Sequence, residues 1–535
     1  MRRTWMPRAA LAAAIVLLVA VPLIPGVVAT GSPAALVRLP VESIIAVLLL
    51  AVLPWRTVRI AVAGVFGAFV VVALLLAGLD AAFEYALDTH FDPNDWKQIG
   101  DGFGVVEDSI GVPAAVGLVV LLVVLAVAVA VALAWAALRV DGAVQRHRRR
   151  GRMVTSTVAA AWVVAALVGS QLVVGQPAAA SASLDSVTSA ASRANATLSA
   201  QADLAHQIAT DPYDRLPASD LLTSLRGKDV IIAFVESYGK VALDDPAISG
   251  GVTQVLHDGQ AQLTAQGYTA KSAWLTSPTF GGVSWLAHST LESGLWINKQ
   301  SIYDRVTETK RLTLAGAFAR AGWNTVSDVP SDTHPWSVGR SFYHYGTLLD
   351  TNSVEYHGPA FGYARIPDQY TWKYFADHQL AEPHDPLMAE IDFVSSHTPW
   401  APLPRLVPWD QIGDGSIYST QLAGQATTSE VWSDPTRITQ SYGQSIEYSL
   451  GALFSFVQNS DDPNLVLIVL GDHQPAAVVS GQNASRDVPI SIISKDPAVF
   501  TSIAPWNWQD GVLPTADAPL WRMDEFRDRF LDAFR

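Results

Sequence analysis

Asp472 and His473 follow directly on an apolar run, Leu465-Val-Leu-Ile-Val-Leu470, that breaks off in Gly471-Asp472-His473-Gln474-Pro475. A short apolar run bounded by turn residues reads as a fully buried strand, of the kind found in parallel sheets. The carboxyl edge of such a sheet is where ligands and metals bind, and Asp oxygen and His nitrogen both suit a divalent ion. A Gly-Asp-His step can equally cap a helix or line a turn, so the reading needs a partner. Val230-Ile-Ile-Ala-Phe-Val235 supplies one, since it is a second buried-strand run and ends in Glu236-Ser237-Tyr238-Gly239. Two strands delivering acids from the same end bring Glu236, Asp472 and His473 to one edge, the minimum for a mixed carboxylate and imidazole site.

A nucleophile is offered by Ser277-Pro-Thr-Phe-Gly-Gly-Val-Ser284-Trp-Leu-Ala-His-Ser-Thr-Leu-Glu-Ser-Gly294. Gly281 and Gly282 make a turn, and from Ser284 the apolar spacing suits a helix that stops near Gly294. Ser284 then falls at the N-cap or in the first turn, where free N–H groups and the helix dipole favour an anion. Its hydroxyl is either an ordinary cap or a nucleophile activated by a bound metal. Thr279 is the rival, upstream of the Gly-Gly turn. His397 follows the apolar run that contains Ile391-Asp-Phe-Val394 and precedes Pro399-Trp400, a third strand end. It is placed to protonate a leaving oxygen or to bind phosphate. His288, four residues after Ser284, reads as core packing. Asp332, His334, Trp336 and Arg340 combine an acid, an imidazole, an aromatic platform and a guanidinium fork for phosphate, although a plain surface loop has the same look.

In this order, Glu236, helix-initial Ser284, Ser396-His397-Thr398-Pro399-Trp400 and Gly-Asp472-His473 resemble the alkaline phosphatase/sulfatase superfamily. Within it the likeness is to the membrane-bound branch of lipoteichoic acid synthases and phosphoethanolamine transferases, over roughly residues 228–500. The resemblance implies one divalent ion, Mn or Zn, on Glu236, Ser284, Asp472 and His473, with Ser284 as nucleophile where that branch usually has Thr. It implies that His397 contacts the substrate phosphate or leaving group, and that His334, Trp336 and Arg340 belong to a substrate-binding segment running to His344-Tyr-Gly346. A sulfatase that matures its nucleophile to formylglycine has Pro two residues on and Arg four on. Here those positions are Leu286 and His288, which argues against sulfate ester hydrolysis.

The chain has 535 residues, half of them hydrophobic, a net charge of −14 and no cysteine. The length is too great for one ordinary domain, and a disulfide framework or Cys-based zinc site is excluded. An acidic balance argues against nucleic acid as a partner. Apolar stretches near 9–30, 36–54, 58–79, 112–138 and 153–175 predict five membrane spans. The first is too long for a signal peptide and is followed by others. Arg2, Arg3 and Arg8, then Arg56 and Arg59, then Arg139, Arg146, Arg148, Arg149, Arg150 and Arg152 all fall on one side if the N-terminus is cytoplasmic. The 80–111 loop is acidic, with Asp80, Glu84, Asp88, Asp92, Asp95, Asp101, Glu107 and Asp108, and falls outside. Its Phe91-Asp-Pro-Asn-Asp-Trp96 stretch suits the membrane interface.

The expected fold is an N-terminal five-helix transmembrane domain (1–175), an Ala/Ser-rich linker helix (176–227) and an extracytoplasmic α/β domain (228–535). Strand runs at 230–235, 268–275, 324–329, 387–394, 465–470 and 488–494 alternate with helical spacing at 312–318 and 438–454, which predicts a mostly parallel sheet with helices on both faces. The expected function is metal-dependent transfer of a phospho-alcohol headgroup, of the phosphoglycerol or phosphoethanolamine type. A membrane lipid would be the donor and an envelope glycan or polymer the acceptor, through a phospho-Ser intermediate, at a bacterial plasma membrane. The alternatives are a phosphodiesterase, phosphatase or sulfuric ester hydrolase of the same fold, and a non-catalytic envelope scaffold.

Overall fold

The computed structural model describes residues 5–381 and 384–535; Arg2 and Arg3, and the side chains of Asp101 and Asp108, lie outside the described residues. The chain forms two compact units, Met1–Glu84 with Thr89–Ala200, and Tyr85–Asp88 with Gln201–Arg535.

In the first unit four helices are long and apolar enough to cross a membrane: Arg8–Thr30, Arg56–Leu87, Val112–Arg146 and Arg148–Val168. The second expected span differs. Its helix, Val41–Val52, has 12 residues, about 18 Å of rise against roughly 30 Å of hydrocarbon. Pro33 and Pro40 explain the shortening, because the chain ahead of Val41 is a 3-10 turn and then extended. Its ends are nevertheless anchored at opposite ends of the helices around it. At one end Leu39 pairs with Ala179, Arg38 donates to the Pro177 carbonyl at 2.9 Å, and Glu42 accepts from the Leu184 N–H at 2.9 Å. At the other, the last carbonyls of the helix, which have no partner within it, are met by Gln145 (3.4 Å to Ala51) and Arg152 (3.1 Å to Ala51). The short helix therefore runs the way a crossing would. The Phe91–Trp96 loop braces the long connecting helix Ala182–Ala209: Thr197 donates to Asp92 at 2.6 Å, Asn94 to the Ala194 carbonyl at 2.9 Å, and Arg193 to the Phe91 carbonyl at 2.9 Å.

The second unit is built on a nine-stranded sheet. Its strands are β1 (Asp229–Val235), β2 (Thr269–Thr276), β3 (Asn324–Val329), β4 (Thr347–Asp350), β5 (Leu387–Phe393), β6 (Leu465–Gly471), β7 (Asp487–Ser494), β8 (Gln509–Asp510) and β9 (Leu520–Arg522). They lie in the order β8-β2-β7-β6-β1-β5-β3-β4, with β9 beside β2. From β6 to β4 the pairing is parallel, while β7 runs antiparallel to both its neighbours, so the sheet is mixed. The unbroken apolar runs of β1 and β6 arise because both faces are covered. Val230, Ile232 and Phe234 enter one core and Ile231, Ala233 and Val235 the other, as a period of two requires.

Register then fixes the edge. Gly471 of β6 pairs with Val235 of β1, and Val235 with Phe393 of β5, so the three strands end together. The residue after each strand is delivered to the same carboxyl edge. Gly471 is needed there because a Cβ would stand 1.9 Å from the Tyr238 carbonyl oxygen.

If the short helix completes a crossing, a reporter fused after residue 200 of the full chain reads extracytoplasmic and one fused at Arg149 reads cytoplasmic. The readings exchanged, with residue 200 cytoplasmic and Arg149 extracytoplasmic, would mean that Val41–Val52 does not cross.

Candidate active site and metal centre

Glu236, Ser284, Asp472 and His473 meet at that edge. Ser284 Oγ lies 2.8 Å from Glu236 Oε2, to which it donates, and 3.1 Å from His473 Nε2. His473 Nε2 stands 3.4 Å from Glu236 Oε1 and 3.5 Å from Asp472 Oδ2. Asp472, His473 and Glu236 are 0%, 0% and 7% exposed, so water does not screen what they do to one another.

The local sequence explains each position. Ser237 takes a left-handed conformation (φ 57°), which turns its N–H onto Asp472 Oδ1 at 2.7 Å and its hydroxyl onto Glu236 Oε1 at 2.8 Å. The Ser396 hydroxyl donates to the Glu236 carbonyl at 2.6 Å, tying the end of β5 to the end of β1. His473 Nδ1 faces the Gln474 carbonyl at 2.8 Å. Only an N–H can be accommodated there, so in the neutral ring Nε2 carries the lone pair. Ser284 opens the helix Ser284–Ser293 as its first residue. The N-cap is Val283, at φ 57°, and makes no side-chain cap. The Ser284 hydroxyl does not cap the helix; it points to the carboxylate and imidazole.

Lone pairs therefore converge on one point from Glu236, Asp472 Oδ2, His473 Nε2 and Ser284 Oγ, and Asp472 Oδ2 is buried with no hydrogen-bond partner. Leaving a buried carboxylate unpaired costs several kcal/mol. Burial raises the Asp472 carboxyl, and the neighbouring Glu236 raises it further. Burial would raise Glu236 also, but His473 and His397 overcome it and hold that carboxylate low. The pair is short of positive charge. Glu236, Asp472 and His473 present their ligand atoms within 4.8 Å of one another, and the donor set of two carboxylates, one imidazole and one hydroxyl fits a divalent cation.

The remaining sequence candidates are placed as follows. Thr279 is buried upstream of the Gly-Gly turn, its N–H on Ser277 Oγ at 3.2 Å, and Ser277 in turn donates to the Asp472 carbonyl at 2.6 Å. Thr279 thus supports the loop under Asp472 and is not at the helix start. His397 lies beyond the end of β5, stacked on Tyr363 with centroids 3.7 Å apart, and its charge reaches Glu236. His334 is exposed and bonds Thr333 at 2.9 Å, Trp336 packs on Tyr343 at 5.1 Å, and Arg340 donates to its own loop at the Gly346 carbonyl at 2.9 Å. Among the described residues no hydrogen bond or ion pair joins these three to Ser284, Glu236, Asp472 or His473. His288 is buried and stacks on Phe234, as core packing requires, and it also faces Glu390 and Asp392 at 3.5 and 3.4 Å. Sequence reasoning missed Ser237, Gln474 and Tyr363. The first two are chain neighbours of the ligands and could have been found as such, whereas nothing in the sequence marks Tyr363.

No family model matches the chain and no curated protein matches it. Several solved structures are similar to it. The lipoteichoic acid synthase LtaP from Listeria monocytogenes is 12% identical over 58% of this chain and 73% of that one, with a TM-score of 0.36. The phosphoglycerol transferase GacH from Streptococcus pyogenes, in complex with sn-glycerol-1-phosphate, is 13% identical over 62% and 88%, with a TM-score of 0.36. The soluble domain of lipooligosaccharide phosphoethanolamine transferase A from Neisseria meningitidis is 10% identical over 58% and 88%, with a TM-score of 0.38.

Replacing Asp472 and His473 together by Ala in the full chain should remove one equivalent of tightly held Mn or Zn, counted by elemental mass spectrometry after dialysis. An unchanged metal count would remove the centre from this edge. Gly471→Ala, which drives a methyl into the Tyr238 carbonyl, should cost about 1–3 kcal/mol of stability, read as a lower midpoint of thermal unfolding.

Proposed function

We propose that this chain is a metal-dependent phosphotransferase of the cell envelope, a member of the membrane-bound branch of the alkaline phosphatase/sulfatase superfamily, which moves a phospho-alcohol headgroup from a membrane lipid to an envelope glycan or polymer. The observation that carries the reading is the Ser284 hydroxyl, first in its helix, not used as a cap and held between Glu236 and His473. A serine placed only to start a helix would bond its own backbone.

Glu236, Asp472, His473 and Ser284 would hold the ion. When bound, a divalent cation lowers the pKa of a hydroxyl it touches and draws charge from phosphoryl oxygens. Glu236 takes the hydroxyl proton along the hydrogen bond that already exists, and Ser284 Oγ forms the new bond to phosphorus. The bond from phosphorus to the lipid oxygen breaks, and His397 gives that oxygen its proton, so a neutral lipid leaves. The headgroup is then an ester of Ser284. An acceptor hydroxyl attacks the same phosphorus, passes its proton to His397, and releases Ser284, which recovers its proton from Glu236. The free N–H groups and dipole at the helix start favour the phosphoryl oxyanion throughout. His334, Trp336 and Arg340 would line the substrate side of the cleft. A catalytic unit on the outer face of a multi-pass plasma membrane protein meets its lipid donor at high effective concentration.

Ser284→Ala should abolish transfer from lipid phosphodiesters, Thr279→Ala should keep much of it, and Ser284→Thr should keep some, because a threonine hydroxyl reaches the same place. Peptide mapping of a trapped phospho-enzyme, with mass spectrometry of envelope glycans and lipids from cells with and without active protein, checks the assignment. Phosphate on Thr279 would move the nucleophile and keep the reaction class. If no phosphodiester gives an adduct or turnover, the proposal fails in favour of a scaffold, and release to water without any phosphorylated acceptor favours a hydrolase.

A further inference from the structure

One helical turn beyond Ser284 a second polar cluster is closed into the core of the same unit. The helix Ser284–Ser293 carries Ser284, His288 and Glu292 at intervals of four, on one face. Glu390 and Asp392 of β5 alternate to one side of the sheet. β1 provides the neighbouring wall: Phe234 is in register with Asp392 and its ring stacks on His288, with centroids 3.8 Å apart at 18°. His288 and Glu390 are 8% and 4% exposed. Glu390 Oε2 accepts from the Tyr345 hydroxyl at 2.9 Å, which leaves Oε1 toward the imidazole.

His288 Nδ1 stands 3.5 Å from Glu390 Oε1 and 3.4 Å from Asp392 Oδ2. Both separations exceed the roughly 2.7–3.2 Å of a good N–H···O bond. Both match the edge of a tetrahedron around a cation with bonds of about 2.0–2.2 Å, which is close to ~3.4 Å. The first site has the same spacing, with His473 Nε2 at 3.4 and 3.5 Å from its two carboxylates. The cluster is also incompletely satisfied. Glu292 Oε1, His288 Nε2 and Asp392 Oδ1 are buried without a hydrogen-bond partner, and Glu292 is 0% exposed.

Charge points the same way. Glu292, Glu390 and Asp392 surround a single imidazole, and among the described residues no lysine or arginine forms an ion pair with any of them. Burial, with Glu390 beside it, pushes the Glu292 carboxyl well above its ordinary range. That still leaves Glu390 and Asp392 with one neutral or singly charged ring between them.

We infer that His288, Glu390 and Asp392 form a second site for a divalent transition-metal cation, of the Zn type by ligand set, distinct from the centre at Glu236, Asp472 and His473. Its ligands come from the nucleophile helix and from the strand that leads to His397, so the ion fastens Ser284 and His397 to one support. It takes no part in bond making, and the inference does not depend on phosphoryl chemistry.

The test uses the full chain in detergent, loaded with zinc and dialysed. Elemental mass spectrometry should count two equivalents in the natural chain, one in D472A/H473A, one in E390Q/D392N and none in the quadruple variant. Should E390Q/D392N fail to fold, zinc-edge X-ray absorption of D472A/H473A decides the matter, with one imidazole and carboxylate oxygens expected around the retained ion. One equivalent in the natural chain and none in D472A/H473A would overturn the second site and leave the first intact. The reverse, with D472A/H473A keeping two, would remove the first site instead.

Discussion

The second unit depends on one electrostatic constraint, that two carboxylates share a dry strand edge with a single imidazole. Asp472 and His473 have no exposure and Glu236 almost none. Water cannot dilute their interaction, and the polar groups that flank them are committed. Ser237 serves both acids, Gln474 holds the far nitrogen of the ring, and Ser396 holds the backbone of Glu236. What remains is a space bounded by lone pairs. A protein can relieve such a space by proton uptake, which raises Asp472, or by a cation, which lets both acids ionise. The hydroxyl of Ser284 enters the same space and is polarised by whichever answer prevails.

The register of β6, β1 and β5 turns that constraint into a site. Because Gly471, Val235 and Phe393 lie abreast, each strand can place its next residue at the edge without a long loop. This much is legible in the sequence, where two unbroken apolar runs read as buried strands and stop at Gly-Asp-His and at Glu-Ser-Tyr-Gly. The strands of the core follow their apolar runs to within a residue. The short edge strands β4, β8 and β9 were not legible, because they have between two and four residues and no burial pattern of their own. Nor was the reversal of β7, whose apolar run reads the same in either direction.

Misreadings of single residues share a cause. His288 looks like a core histidine because its helix is buried, and only the fold shows that Glu390 and Asp392, some hundred residues away in sequence, share its pocket. The segment around Val41 looks like an ordinary span by composition. Two prolines ahead of it shorten its helix at the start, and at its other end Gln145 and Arg152 meet the last carbonyls. In each case local pattern names the residue type correctly and tertiary contact decides its use.

Val283 shows how much the fold concedes to hold Ser284. A β-branched residue with φ at 57° is a steric outlier, and such conformations cost of order 1–3 kcal/mol. Glycines at 281 and 282 already supply a flexible turn, so a loop needing only to reverse direction would have no use for a third unusual residue. The left-handed step directly before Ser284 changes where the helix begins. It makes Val283 the cap, without a side-chain bond, and places the serine inside the first turn with its hydroxyl free of the helix end. The strain is the structural expression of a hydroxyl reserved for something outside its helix, and Glu236 and His473 are what it meets.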